Sequence, residues 1–347
     1  MDMLNMGRDK AKPRVVEFDP VLAALVAERL AQGLHPSLIA MQFAQRADPE
    51  LVAAYARDIE SHPYFQGALA VSDALRKRDW ILDCQARSWR QSPDATRIDR
   101  REALAPASFL RDYYANQRPV VIGGLVDDWP ALSRWTADYL EAKVGRETPV
   151  EVQKGRTSRR DFELDKLALR KTVPFGEVAD ALRSPGPSND LYVTANNGAG
   201  NRAAFGPIWG DFGPIDGYTL PRDGNDGFLW IGPAGTVTPF HHDLTNNLLI
   251  QVKGRKRVHM VPNWEEARMK PVRRLFSEWT LEALLKAGET PGDGPPTLIE
   301  TEIGPGDALF IPVGWWHHVV SLDESYSVLF TNFAWPNDFA TPFMQAR

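Results

Sequence analysis

The stretch that decides the fold runs from Gly235 to Val261 and reads GTVTPFHHDLTNNLLIQVKGRKRVHMV. Its second half predicts a β-hairpin. Residues Asn247 to Val252 are apolar and β-prone, Lys253 and Gly254 are typical of a turn, and Arg255 to Val261 continues as a second strand. Other short strands, separated by Gly and Pro, surround this stretch. The pattern predicts a mainly β fold with helices near its start, built as a double-stranded β-helix, or jelly roll.

One face of the second strand combines apolar residues with a lysine. Because side chains alternate along a strand, Lys256, Val258 and Met260 share this face. Lysine is rarely buried without an anionic partner, and the strand itself contains no acidic residue. A ligand carboxylate would provide the anion. The alternatives are that Lys256 extends to solvent or meets an acid from elsewhere in the fold.

The first half of the stretch contains candidate metal ligands. Residues at i and i+2 on a strand project to the same face, so His241 pairs with Asp243, whereas His242 points away. A histidine from a distant strand, His317 or His318, would complete two imidazoles and one carboxylate, the facial triad of non-haem Fe(II) oxygenases. Such a triad leaves coordination positions open for a cosubstrate and dioxygen. For the tripeptide taken alone, the alternative is two surface histidines beside a turn aspartate.

Several motifs in the same order resemble the JmjC or cupin-8 family of 2-oxoglutarate oxygenases, most closely its asparaginyl, arginyl and lysyl hydroxylase branch. The resemblance covers roughly residues 100 to 336. It rests on the segments Arg118-Pro119-Val120-Val121-Ile122-Gly123-Gly124, Asp128-Trp129-Pro130, Gly235 to Asp243, Gly254-Arg255-Lys256, and Gly306 to Pro312 running into Trp316-His317.

The resemblance implies a role for each matching residue. The implied iron ligands are His241, Asp243 and His317. The residues implied to contact 2-oxoglutarate or lie near it and the metal are Lys256, Thr238, Asn247, Tyr192 and Asn332. Lys256 and Thr238 are expected at the distal carboxylate. Tyr192 has an alternative interpretation as an ordinary strand tyrosine, and Asn332 as a strand-end residue that bonds to backbone.

The implied activity is that of an Fe(II)- and 2-oxoglutarate-dependent dioxygenase. It would use O2 to hydroxylate an amino-acid side chain in a protein or peptide and release succinate and CO2. One alternative is a hydroxylase of a small molecule or free amino acid. An alternative from another class is a non-catalytic cupin that binds a metal or a carboxylate. Demethylation of methyl-lysine is less favoured, because the chain has no recognisable chromatin-reading module.

Composition restricts the partners. The net charge of −5 argues against a general nucleic-acid surface, so no DNA partner is expected. The sequence contains no apolar stretch long enough for a bilayer, and the single cysteine, Cys84, fits a reducing compartment, so we expect a cytoplasmic protein without a membrane partner. Two basic clusters, at residues 156–160 and 97–101, are expected to be solvated loops.

The domain organisation is expected to be two-part. Residues 1–17 are predicted to be disordered and residues 18–92 to form a small all-α domain, because Pro-initiated helical patterns begin after Asp19, His35, Asp48 and His62. His35 and His62 are interpreted as capping or turn residues. Residues 93–99 are expected to be a linker, and residues 100–347 the cupin-like oxygenase domain. The N-terminal helices could support a homodimer or recruit a substrate.

Overall fold

The computed structural model describes residues 19–159, 161–195, 198–221, 227–288 and 295–341. The prediction of disorder for residues 1–17 lies outside the described residues. The chain divides into two compact units, one ending at Ile81 and the other beginning at Leu82. This division falls inside a long helix, before the linker expected at residues 93–99. No helix in the described ranges is both long enough and apolar enough to cross a membrane.

The N-terminal unit is helical, as the sequence predicted. Its helices are α1 (Pro20–Ala31), α2 (Pro36–Gln42), α3 (Pro49–Ser61) and the part of α4 (Pro63–Arg90) that ends at Ile81; the rest of α4 belongs to the second unit. Each helix begins with a proline, whose missing N–H costs nothing in the first turn. Asp19, His35 and Asp48 cap α1, α2 and α3 with side-chain acceptors. The capping role expected of His35 is therefore confirmed. Val26, Ile39 and Val52 are fully buried where the first three helices pack.

The second unit contains the strands and several short helices. Its first part consists of β1 (Asp99–Glu102), α5 (Pro106–Phe109), β2 (Val120–Gly123), α6 (Pro130–Arg134), α7 (Ala137–Val144), β3 (Pro149–Lys154), α8 (Lys166–Leu169), β4 (Arg170–Pro174), α9 (Phe175–Arg183), β5 (Leu191–Tyr192) and α10 (Gly198–Asn201). Its second part consists of β6 (Phe228–Gly232), β7 (Val237–His241), β8 (Asn247–Lys253), β9 (Lys256–Val261), β10 (Pro271–Val272), β11 (Phe276–Ser277), α11 (Leu281–Gly288), β12 (Ile299–Ile303), β13 (Ala308–Ile311), β14 (Trp316–Ser321) and β15 (Ser325–Phe330).

Two six-stranded sheets form the body of this unit. One has the strand order β1-β2-β13-β8-β15-β6 and the other β10-β11-β7-β14-β9-β12. Within the main body of each sheet, neighbouring strands are antiparallel, as in β13 with β8 and β14 with β9. A third, smaller sheet has three strands in the order β4-β3-β5. This arrangement is the predicted jelly roll, and a cavity lies between residues of the two large sheets.

The hairpin of β8 and β9 connects the two large sheets. β8 and β9 belong to different sheets, and Gly254 in the turn between them has a φ of 71°, which favours glycine. All residues of β8 except Lys253 are buried because this strand lies between β13 and β15. In β9, Lys256, Val258 and Met260 are all buried. His259 and Val261 on the other face are buried too, so the prediction of a buried face holds but the burial alternates only from Lys256 to Val258.

Candidate metal centre and adjoining cavity

Three side chains converge between the sheets. His241 is the last residue of β7, Asp243 lies two positions beyond that strand, and His317 is the second residue of β14. Nε2 of His241 lies 4.0 Å from Oδ1 of Asp243, and Nε2 of His317 lies 3.7 Å from Oδ2. One ligand atom from each residue falls within 4.8 Å of the others. Two imidazoles and one carboxylate at this separation can bind one metal ion.

The two histidine rings are oriented by backbone carbonyls. Nδ1 of His241 lies 3.0 Å from the carbonyl oxygen of Pro239, and Nδ1 of His317 lies 3.0 Å from that of Trp315. A carbonyl only accepts hydrogen bonds, so each Nδ1 must donate. The lone pair of each ring is therefore on Nε2, which faces Asp243. Metal-binding histidines are held by this kind of hydrogen bond.

The carboxylate of Asp243 is also held in place. Asn247 Nδ2 donates a hydrogen bond to Oδ2 of Asp243, and Thr245 Oγ1 donates to the Asn247 side-chain oxygen at 3.2 Å. Burial alone would raise the pKa of Asp243, but His241, His317 and the Asn247 N–H together outweigh burial and lower that pKa. Burial and the neighbouring His241 lower the pKa of His317 to about 4. At neutral pH the site therefore presents an anion and neutral imidazole, as a divalent cation requires.

The neighbouring histidines face elsewhere. His242 bonds through Nε2 to the carbonyl of Arg274 at 3.1 Å, and its ring packs against Trp316 at 4.7 Å. His318 packs against Phe240 on the other side of its strand. The choice of His241 over His242, and of His317 over His318, therefore agrees with the geometry.

A cavity of about 220 Å³ adjoins these ligands. It lies between the large sheets and includes the triad at one wall. Its lining comprises Glu163, Lys166, Tyr192, Ala195, Phe228, Trp230, Thr238, His241, Asp243, Thr245, Asn247, Leu249, Lys256, Phe276, Ile311, His317, Val319, Leu329 and Thr331. The cavity thus brings together Lys256, Thr238, Asn247 and Tyr192 with the triad.

Lys256 is a buried cation without a paired anion. Only 2% of the residue is exposed, and Nζ donates to Ser327 Oγ at 2.7 Å and to the Tyr192 hydroxyl at 3.3 Å. Within the described ranges, no carboxylate lies within ion-pair distance of Nζ. Burial lowers the pKa of Lys256 to about 7. The alternatives of solvent exposure and of a protein acid as partner therefore do not hold for the described residues.

Tyr192 and Thr238 line the same cavity as this lysine. Tyr192 is 2% exposed, and burial raises the pKa of its hydroxyl to about 12, so the group remains a neutral donor. Thr238 is the second residue of β7, three positions before the ligand His241. Ser327, which the sequence analysis did not select, belongs to the same group. Its sequence signal is a hydroxyl two positions before Leu329 on β15, because residues two apart on a strand project to the same face and Leu329 lines the cavity.

Asn332 differs from the sequence expectation. β15 ends at Phe330, and the side-chain amide of Asn332 donates to the carbonyl of Leu220, whose N–H donates to the Asn332 carbonyl. Asn332 does not line the cavity, whereas Thr331 does. Leu329 and Thr331 line the cavity, so the alternation of side chains turns Asn332 to the other side, and the alternative of a strand-end residue bonded to backbone fits better.

Two tryptophans support His317 from behind. Trp315 and Trp316 are fully buried, and Trp316 Nε1 donates to Glu266 at 3.0 Å. Trp315 packs edge-on against Trp264 at 5.5 Å and Trp89 at 6.3 Å. Trp89 belongs to the last turn of α4, where Arg90 bonds to the buried Glu265 at 2.9 Å. The two tryptophans therefore pack against their neighbours, and the end of α4 belongs to the same cluster.

One basic residue was misinterpreted from the sequence. The cluster at residues 156–160 was expected to be solvated, but Arg156 is only 1% exposed and pairs with Glu163 at 3.0 Å. The prediction is wrong for Arg156 because its counter-ion lies seven positions later in a loop, where no regular spacing reveals it. The side chain of Arg159, by contrast, is 47% exposed, as expected of a solvated cluster.

Comparisons with known proteins identify the family. A family model described as a cupin-like domain matches residues 106–341. The chain is 31% identical over 274 residues to "Lysine-specific demethylase JMJ30" of Arabidopsis thaliana, across 74% of this chain and 58% of that protein. It is 29% identical to "Lysine-specific demethylase 8" of Xenopus tropicalis, across 64% and 49%. It is 24% identical to "tRNA wybutosine-synthesizing protein 5" of Homo sapiens, across 65% and 74%.

The two demethylases are matched over about half of their own length, 58% and 49%. Both are named lysine-specific demethylases, whereas the third relative is named for wybutosine synthesis in tRNA, and these names describe those proteins. The family model covers the part of this chain that contains the triad. The chain therefore belongs to the cupin-like domain family, whose JmjC members its motifs resemble.

Proposed function

We propose that this protein is an Fe(II)- and 2-oxoglutarate-dependent dioxygenase that hydroxylates an amino-acid side chain in a protein or peptide. Membership of the cupin-like domain family and the His241, Asp243 and His317 cluster support the metal-dependent part of the proposal. The hydroxylase branch and the protein or peptide substrate rest on the sequence resemblance.

The observation that carries the proposal is the buried Lys256. Its ammonium group lies in the same cavity as the triad and has hydroxyl partners but no ion pair among the described residues. A buried lysine without an anion is unfavourable, so the site fits a ligand that brings a carboxylate. 2-Oxoglutarate has one carboxylate for Lys256 and a 2-oxo acid group for the metal. The residues present therefore fit both groups.

Each residue then has a distinct task. His241, Asp243 and His317 would hold the metal, and Lys256, Tyr192 and Thr238 would bind the distal carboxylate. When bound, Fe(II) and 2-oxoglutarate supply the oxidant that inserts one oxygen atom of O2 into a substrate C–H bond, with release of succinate and CO2. Asn247 keeps the Asp243 carboxylate in one orientation. The apolar side chains of Leu249, Val319 and Leu329 exclude water from the cavity.

The direct test is anaerobic reconstitution with Fe(II), followed by titration with 2-oxoglutarate and visible absorption spectroscopy. We expect a weak charge-transfer band that saturates with 2-oxoglutarate. Asp243→Ala should lose both the metal and the band, and Lys256→Met should keep the metal but need far more 2-oxoglutarate. Iron binding without a band in the unaltered protein would refute the cosubstrate assignment and leave a metal-binding cupin as the better description.

Demethylation of a methylated lysine is the second candidate function. The two relatives named as lysine-specific demethylases favour it. The two functions share oxygen insertion into a C–H bond and differ in product. Hydroxylation of a methyl group on nitrogen gives a hemiaminal that releases formaldehyde, whereas hydroxylation of a side-chain carbon leaves the substrate heavier by one oxygen atom. Mass spectrometry of candidate peptides, combined with a formaldehyde assay, distinguishes these outcomes.

A further inference from the structure

Arg156 occupies an unusual position for an arginine in a basic loop. It follows β3 and a left-handed Gly155, whose φ is 87°, and its side chain turns inward until only 1% of the residue is exposed. The guanidinium group does not line the cavity. It lies instead behind residues that do, and neither the sequence resemblance nor the comparisons assign it a role.

The guanidinium group is fixed by hydrogen bonds in three directions. Nη1 donates to Glu163 Oε1 at 3.0 Å, Nη2 donates to the carbonyl of Val237, and Nε donates to Asn189 Oδ1 at 3.3 Å. Asn189 Oδ1 also accepts from the backbone N–H of Val237 at 2.9 Å. Arg156 and Asn189 together therefore hold both backbone polar groups of Val237, the first residue of β7.

Two aromatic rings enclose the same group. Its central carbon lies 4.4 Å from the centroid of Phe162 and 5.3 Å from that of Tyr192. A guanidinium stacks on aromatic faces and restricts how the rings can move. The Tyr192 ring is therefore held by Arg156, while its hydroxyl contacts Lys256 on the cavity side at 3.3 Å.

These contacts end at two groups that line the same cavity as Lys256. One contact fixes Tyr192, and the other fixes the backbone of Val237, which directly precedes Thr238. Glu163, the ion-pair partner, also lines the cavity. A single buried side chain thus connects three parts of the wall that are distant in sequence.

We propose that Arg156 is a positioning residue for carboxylate binding: it holds Tyr192 and Thr238 in place around Lys256 without touching the ligand. This inference rests on the proposed function, because the ligand in question is 2-oxoglutarate. This role requires the planar, forked guanidinium group of Arg156. A lysine would provide a single point charge, which cannot reach three acceptors and stack between two rings. The hydrogen bonds that orient the metal ligands come from Pro239, Trp315 and Asn247 and do not include Arg156.

The test uses the full chain loaded with Zn(II), which fits the same triad but does not turn over. Calorimetry gives the dissociation constant for 2-oxoglutarate, and a chelator competition gives that for Zn(II). We expect Arg156→Met to weaken 2-oxoglutarate binding by about 10-fold or more, as loss of an orienting partner does elsewhere, and to leave Zn(II) affinity unchanged. Arg156→Lys should bind as poorly as Arg156→Met. Arg159→Met, in an exposed neighbour, should behave like the unaltered protein.

Four outcomes count against the inference. Unchanged 2-oxoglutarate affinity in Arg156→Met refutes it, and full recovery in Arg156→Lys shows that the charge alone suffices. Parallel loss of Zn(II) and 2-oxoglutarate indicates general damage to the fold. If Arg156→Met does not fold, Asn189→Ala removes the side-chain oxygen that accepts from both Arg156 Nε and the Val237 N–H, while the Arg156–Glu163 pair stays in place. Unchanged 2-oxoglutarate affinity in that variant refutes the inference.

The proposed function can fail separately. If the unaltered Zn(II)-loaded protein does not bind 2-oxoglutarate, the proposed function is wrong and the role of Arg156 falls with it. If the unaltered protein binds and Arg156→Met binds equally well, only the inference about Arg156 is wrong.

Discussion

Replacing Lys256 with methionine should stabilise the ligand-free protein. Burial lowers the pKa of this lysine from 10.5 to about 7. Each pKa unit corresponds to about 1.4 kcal/mol, so burying the group opposes folding at pH 7 by about 4 kcal/mol. Methionine has a similar length and no charge, but it leaves the Tyr192 and Ser327 hydroxyls with one partner fewer, at about 1–2 kcal/mol in total. The expected net gain in the free energy of unfolding is about 2 kcal/mol.

The free energy of unfolding should also depend on pH in a direction set by the Lys256 proton. Between pH 7 and pH 10.5 the unfolded chain carries a proton on Lys256 that the folded chain has lost, so the stability of the unaltered protein rises with pH. The methionine variant lacks this contribution. Urea unfolding followed by tryptophan fluorescence at pH 7 and at pH 10 should therefore show an advantage for Lys256→Met that shrinks as the pH is raised.

Ligand should reverse the order of stability. With Zn(II) and 2-oxoglutarate at about 100 times the dissociation constant, the unaltered protein should gain about 2.7 kcal/mol, and Lys256→Met should not respond to 2-oxoglutarate. A variant that is less stable than the unaltered protein at pH 7 without ligand would refute the reasoning. So would a stability difference that is equal at the two pH values, because the effect would not then arise from the lysine proton.

Three further changes test other parts of the site and fold. Asn247→Ala should weaken Zn(II) binding by about 10-fold, because the Asp243 carboxylate loses the amide that orients it; chelator competition measures this, and unchanged affinity would contradict it. His242→Ala should leave Zn(II) affinity unchanged in the same assay, because its ring faces away, and a loss would show that the ligand was chosen wrongly. Gly254→Ala should lower the free energy of unfolding in urea by about 2 kcal/mol or more, because its positive φ and the adjacent Glu324 carbonyl leave no room for a methyl group; a neutral result would contradict this turn geometry.

Strand periodicity accounts for most of what could be predicted. The two-residue alternation predicted that Lys256 lies on a buried face of β9, and Lys256 is buried. It also favoured His241 over His242, and His241 lines the cavity, although Asp243 lies beyond the end of β7 and an irregularity separates His241 from Thr238. Prolines at the start of the N-terminal helices were equally informative, since they mark the first turn directly. These signals are local, so a single sequence is enough to read them.

Long-range contacts account for what could not be predicted. Arg156 is buried through partners at Glu163, Asn189 and Val237, which approach only when the loop after β3 folds against β7. Asn332 was expected near the cosubstrate, but it lies two residues beyond the end of β15 and bonds to the backbone of Leu220, which is distant in sequence. Neither the end of a strand nor the partner of a loop residue follows from local spacing.

The end of α4 affects how a shorter form of the protein should be designed. A fragment that begins at the expected domain start, residue 100, would lack Trp89 and Arg90. The indole of Trp264 would lose its neighbour at 5.2 Å, and the buried Glu265 would lose an ion-pair partner. Such a fragment would expose an apolar surface directly behind Trp315, whose carbonyl orients His317. A start site before Leu82 keeps this surface covered.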